Sequence, residues 1–173
     1  FTPVSYACQD VDGTVDTTLA TRDNAVRTVR FLQENQIKPE FMNHNWEGIQ
    51  NVKEWLIKPG ILDRPYLMSM GPGMHNAAET YPDPWGYQYL LGMMKMMPEG
   101  SLISVSAGGR NWLPLSTFAI LMGVDNVRVG MEDHLWLYPH RGEKVEKNAQ
   151  ETRKIATIAR ELGRDIATPK EAR

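Results

Sequence analysis

Apolar positions along this chain change their period repeatedly, and each change marks an element. Residues Val4 to Cys8 read as a strand, and Arg22 to Asn35 place Ala25, Val26, Val29 and Leu32 on one face of a helix. Lys38 to His44 reads as the next strand. A helix from about Trp46 to Ile57 follows, with Ile49, Val52, Trp55 and Leu56 inward, and closes at Lys58-Pro59-Gly60. Tyr66 to Met70 makes a third strand that ends in the turn Gly71-Pro72-Gly73. A methionine-rich helix spans about Pro84 to Met97 and leads into a fourth strand, Ser101 to Ser106. Pro114 to Met122 is helical, Asn126 to Gly130 is the fifth strand, and Asn148 to Leu162 forms the last long helix, stopped by Gly163. Further on, Thr168, Pro169 and Glu171 are spaced as N-cap, first helical position and capping partner of one more helix.

Alternating strand and helix predicts a mostly parallel sheet with helices packed outside it, as a (β/α) barrel or as a doubly wound open sheet. Periodicity does not choose between the two. In both, ligands bind beyond the C-terminal ends of the strands, so the residues there carry the functional question. The fifth strand is the most unusual, because it runs into Glu132-Asp133-His134. Charge is expensive to bury, and strand alternation would set Arg128, Gly130 and Glu132 on one face with Val127, Val129 and Met131 on the other. Two readings stand side by side. One is a structural Arg128–Glu132 ion pair at a solvated rim. The other is a reaction site, in which a carboxylate ligates a metal while a neighbouring Arg-Asp pair holds an enolate or moves a proton.

Composition narrows the classes. The 173 residues are 42% apolar and 23% charged with a net charge of −2, which suits one globular domain over residues 1–173 and disfavours a basic nucleic-acid groove. There is no G-x-G-x-x-G or P-loop pattern, and Gly71-Pro72-Gly73 and Gly108-Gly109 read as turns. The single cysteine, Cys8, excludes an internal disulfide framework and reads as an inert thiol. No apolar stretch approaches the roughly 20 residues needed to span a bilayer, and Phe1-Thr2-Pro3 does not read as a signal peptide, so a cytoplasmic location is expected. The chain opens inside an apolar run and closes at a helix start, which reads as a piece of a longer protein.

Several stretches carry a resemblance. VRVGMEDHLW, with NAQETRKIATIARELGRDIATPKEAR after it and IKPEF and SAGGRNWLP before it, resembles the C-terminal part of the β-keto acid cleavage enzyme family. The resemblance spans essentially the whole chain. It implies a (β/α)8 TIM barrel of which this chain supplies about strands four to eight. It also implies a divalent metal at the barrel mouth, usually Zn2+, and a reaction in which a β-keto acid and acetyl-CoA give acetoacetate and a new acyl-CoA. By the same resemblance Glu132 is the metal-binding carboxylate, while Arg128 and Asp133 handle deprotonation and the negative charge. The family's remaining metal ligands form a His-x-His pair that this chain lacks, its histidines being His44, His75, His134 and His140, and the resemblance puts that pair upstream of Phe1.

The other strand ends are then read against a thioester and a keto acid. Met42 occupies an inward position where amino-substrate members carry an acidic residue; a thioether does not pair with an ammonium group, which points to a substrate tail of different charge, or to simple core filling. His44 shares a face with Glu40 and Met42 and can line the pocket, and of Ser104 and Ser106 the latter lies nearer the C-terminal end. His75 and Arg110 are candidates for contacts with the thioester or the CoA phosphates. The run Met93, Met94, Met96, Met97 fits helix packing or a subunit interface of a homo-oligomer. A non-catalytic barrel subunit, or an aldolase or hydrolase using the same site, is the alternative reading.

Overall fold

The computed structural model describes residues 3, 6–9, 15–72 and 85–172. Helix α1 (Arg22–Glu34) begins where extended Thr21 accepts a hydrogen bond from the Asn24 backbone through Oγ1 (3.3 Å), and it buries Ala25 and Val29, one turn apart. Strand β3 (Glu40–Asn43) leads to Asn45, whose Oδ1 accepts from the Gly48 backbone at 3.1 Å and so caps α2 (Trp46–Val52). That helix continues as a π-helical stretch, Lys53–Ile57, and stops at Gly60, whose φ of +71° suits glycine. Then come β4 (Tyr66–Met70), α3 (Trp85–Met96), β5 (Ser101–Ser106), α4 (Trp112–Leu121), β6 (Asn126–Arg128) and α5 (Asn148–Glu161).

Strands β3-β4-β5-β6 form one parallel sheet in chain order. Side chains alternate across it, and the two faces differ sharply. Phe41, Met68, Met70 and Val105 join one buried cluster with Val29 of α1, Ile49 of α2, Leu90 of α3, Leu115 of α4 and Ile155 of α5. Full burial of side chains of this kind is worth roughly 1.5–3 kcal/mol each. Met42, Ser69, Ser104, Ser106 and Arg128, on the opposite face, are absent from that cluster. Helices α1 to α5 therefore share one face of a sheet whose strand order never reverses. Among the described residues the sheet shows neither the reversal of order nor the two-sided helices of a complete doubly wound sheet.

The first predicted strand is placed differently. Tyr6–Gln9 (β1) pairs antiparallel with Val15–Thr18 (β2) in a separate two-stranded sheet, so four of the five expected strands make up the parallel sheet. An antiparallel partner close in sequence needs only a short connection, whereas a parallel one needs a crossover of a dozen residues or more. Helix α4 starts at Trp112, two residues ahead of the predicted Pro114, because proline is tolerated in a first turn whose N–H groups have no helical partner. At the other end, the Glu171 carboxylate accepts from Thr168 N and Oγ1, both at 2.8 Å, so the expected capping contacts form, although the described residues that follow are a turn. Among the described residues no helix is long and apolar enough to cross a membrane.

Candidate active site

The parallel register sets Ser106 directly beside Arg128 on the helix-free face at the C-terminal ends of β5 and β6. Strand β6 stops at Arg128, and the chain then turns, with Asp133 N donating to Gly130 O at 3.0 Å and Met131 N donating to Asn148 Oδ1 at 3.0 Å. The turn carries Asp133 back over the strand ends. Ser106 Oγ donates to Asp133 Oδ2 at 2.8 Å, and Arg128 Nη2 reaches Asp133 Oδ1 at 3.3 Å. The Asp133 carbonyl also accepts from Gly109 N at 3.1 Å, so main chain and side chain are both held.

Strand alternation predicted Glu132 on the inner face with Asp133 just beyond it. The strand ends two residues earlier than expected, and the Asp133 side chain is fully buried, whereas that of Glu132 is 78% exposed. Both carboxylates still meet Arg128, which forms an ion pair with each. A buried carboxylate held by a guanidinium and a hydroxyl keeps lone pairs for a proton, and a guanidinium in that position can stabilise negative charge beside it. Among the described residues no group of three His, Cys, Asp or Glu side chains can hold a metal ion. Glu132 offers one carboxylate at the rim, fewer donors than a zinc centre needs.

The structure thus brings Ser106, Arg128, Glu132 and Asp133 together, and separates the rest. Met42 and His44 lie on and just after β3, at the opposite edge of the sheet from β6. Met42 is half-buried opposite Ser69, and buried His44 accepts the Tyr89 hydroxyl through its backbone oxygen at 2.7 Å. Arg110 lies over the Trp136 ring at 3.7 Å, and its Nη1 reaches the Pro139 and Arg141 carbonyls, both at 3.4 Å. His75 lies outside the described residues.

A second buried pair sits behind Asp133 and was not singled out from sequence. The His134 ring stacks on Trp112 with centroids 4.3 Å apart, and its Nδ1 is 3.2 Å from Glu151 Oε1. Both side chains are fully buried. Burial, and then the charge of Asp133, push the Glu151 carboxyl up to about 7; burial pushes the His134 ring down to about 4 against the opposing hydrogen bond with the Trp136 backbone. A signal for Glu151 was present in the sequence. It falls on the same helical stripe as Ile155 and Ala159, the core-facing positions of α5.

Compared with known proteins, residues 4–173 match the beta-keto acid cleavage enzyme family. The chain belongs to that family. Among the family's curated members, the chain is 28% identical over 153 residues to the 3-keto-5-aminohexanoate cleavage enzyme of Acetoanaerobium sticklandii, covering 88% of this chain and 53% of that protein. It is 44% identical over 70 residues to the 3,5-dioxohexanoate:acetyl-CoA acetone transferase of Paraburkholderia graminis, covering 40% of this chain and 22% of that one. The fold is shared with ObcA, solved as a ternary complex with a C4-CoA adduct and oxalate: TM-score 0.75 and 17% identity, over all of this chain and 44% of ObcA. The chain spans about half the length of the first curated family member it matches.

Proposed function

We propose that this chain is part of a β-keto acid cleavage enzyme that turns a β-keto acid and acetyl-CoA into acetoacetate and a new acyl-CoA, with Asp133 as the proton-transferring carboxylate. The observation that carries the reading is the buried Asp133 carboxylate held between Ser106 and Arg128 at the strand ends. Family membership and the acetyl-CoA named in the curated relative support it. The one-faced helices and unreversed strand order support reading the sheet as part of a (β/α)8 barrel, whose ligand site lies at this end.

Atom balance dictates the order of steps. Acetoacetate joins the acetyl group to the carbon between the keto and acid groups of the substrate, so that carbon must first lose a proton. Asp133 takes it, and Arg128 stabilises the enolate. The enolate carbon attacks the acetyl thioester carbonyl and expels CoA thiolate. The thiolate then attacks the original keto carbonyl, the old carbon–carbon bond breaks, and the acetoacetate enolate takes a proton back from Asp133. Ser106 positions the carboxylate through both transfers. In this reading Glu132 also supplies one ligand to a divalent cation whose other donors come from outside the described residues. As the described residues do not form such a centre by themselves, no step is assigned to it.

The test is acetoacetate production from acetyl-CoA and a panel of β-keto acids by the full-length protein. Asp133→Asn keeps the shape and removes the base, so kcat is expected to fall by about 10²-fold or more. No acetoacetate from any keto acid, or an Asp133→Asn variant as active as the parent, overturns the reading.

A further inference from the structure

Between the buried Asp133 and helix α5 the chain forms a small hairpin that the proposed chemistry does not use. Leu137 N donates to Glu143 O and Val145 N to Leu135 O, both at 3.0 Å, and Trp136 bridges Lys144 in antiparallel fashion. Alternation gives the hairpin two faces. Leu137 and Val145 are buried, and Trp136 and Tyr138 stand on the other side. Cations gather on those two rings. Arg110 lies 3.7 Å and Lys144 5.7 Å from the Trp136 centroid; Lys154 lies 3.9 Å and Arg141 5.0 Å from that of Tyr138. Among the described residues none of the four forms an ion pair with a carboxylate.

We infer that this hairpin face is an anion site that binds the phosphates at the nucleotide end of the CoA thioester; the identity of the ligand rests on the proposed function. Two cations on the hairpin, Arg141 and Lys144, and two beside it, Arg110 ahead of α4 and Lys154 on α5, repel one another, and an anion bound among them would offset that repulsion. Arg110 directs Nη1 at the Pro139 and Arg141 carbonyls, which leaves its remaining N–H groups for a phosphate, and a lysine ammonium has three donors to share. With two cations at each ring, the surface suits phosphate more than a stacked base. Its position suits the same ligand. The hairpin begins two residues after Asp133 and is tied to the site through Arg110, next to the Gly109 N–H that binds the Asp133 carbonyl. The five residue-to-residue steps from Leu135 to the tip at His140 reach at most about 17 Å outward. A CoA thioester carries its phosphates at the far end of the pantetheine arm, so an anion site is expected at such a remove from the reacting carbon.

The experiment uses the full-length enzyme and the double variant Arg141→Ala/Lys144→Ala, with Lys95→Ala, an exposed lysine on α3, as the control for bulk charge. The double variant is expected to raise the KM for acetyl-CoA about tenfold, in line with the loss of one charge-assisted contact, while the KM for the keto acid stays within twofold. Adenosine 3′,5′-bisphosphate, titrated directly by calorimetry, should bind the parent and the Lys95→Ala variant but bind the double variant about tenfold more weakly. If acetyl-CoA turns over and its KM is unmoved in the double variant, the anion site is wrong and the proposed activity stands. If no acetyl-CoA-dependent turnover exists yet the bisphosphate binds in a hairpin-dependent way, the site stands and the activity fails. Equal bisphosphate binding by parent and double variant, or none by either, overturns the site.

Discussion

Replacing Glu151 by glutamine should give stability a pH dependence that the parent hides. In the folded chain the Glu151 carboxyl is pushed up to about 7, whereas unfolded it titrates near 4.5. The folded state therefore keeps a proton that the unfolded state releases, and Glu151 removes stability as pH rises from 4.5 through 7, by about 3 kcal/mol in all. His134 works in the opposite sense. Its ring is pushed down to about 4 from 6.5, so the unfolded state holds the extra proton, and stability rises by a similar amount between pH 4 and 6.5. Through the shared window the pair carries one proton in either state, on His134 when unfolded and on Glu151 when folded. Their slopes cancel.

Glu151→Gln keeps the shape and an N–H donor facing His134 Nδ1 across the 3.2 Å gap, and removes only the titration of Glu151. Urea unfolding of parent and variant at pH 4.5, 5.5, 6.5 and 8 gives their difference, in which the other titrating groups cancel. The variant should match the parent within about 1 kcal/mol at pH 4.5 and exceed it by up to about 3 kcal/mol at pH 8. The complementary His134→Asn leaves the Glu151 titration unopposed, so it should lose stability relative to the parent as pH rises from 4 to 6.5, by about 3 kcal/mol. A difference for Glu151→Gln that stays constant across the series refutes the reasoning. It would mean that Glu151 is ionised in the folded chain, held as a true ion pair by a protonated His134.

Ser106→Ala removes the hydroxyl bonded to Asp133 Oδ2 and leaves the Arg128 contact, so kcat for acetoacetate formation should fall about tenfold, matching the loss of roughly 1.5 kcal/mol for a hydrogen bond to a charged group. Unchanged kcat would mean that Ser106 does not position the carboxylate. Asn45→Ala removes the cap of α2 at its Gly48 contact and should lower stability by about 1 kcal/mol, read as a drop of roughly 2–4 °C in the midpoint of thermal unfolding by circular dichroism.

What the sequence disclosed and what it withheld follow from the range of the forces involved. Helix spans were legible because they depend on local period and caps: α1 and α5 end within one residue of the predicted limits. The burial of Asp133 was not legible because strand alternation holds only while the strand lasts. Where β6 ends is set by the turn from Gly130 to Asp133 and by Asn148, seventeen positions further on in the chain from Met131. The pairing of β1 with β2 depends likewise on a choice between two partners that local pattern does not rank. Arg110 was read as an anion contact from its place at a strand end. Its platform, Trp136, comes 26 residues later, and no spacing rule links the two.

The helix-free face of the sheet changes character from one end of the strands to the other. In register, Leu67 neighbours Leu102 at the start, Ser69 neighbours Ser104 in the middle, and Ser106 neighbours Arg128 at the end. Each polar side chain along this gradient has found a neighbour: Ser69 donates to Glu40, Ser104 Oγ accepts from Asn126 at 3.0 Å, and Ser106 donates to Asp133. A parallel sheet buried on both faces for stability alone would read as near-continuous apolar strands, since every buried polar group must be matched by a hydrogen bond to avoid a desolvation penalty. Here the polar side chains are retained: Glu40 carries charge at the start of β3, and Arg128 carries it at the end where parallel α/β sheets bind their ligands. The freedom left at the mouth is the freedom of Arg128, which joins one buried carboxylate to one exposed carboxylate and is the group through which the rim can respond to what binds there.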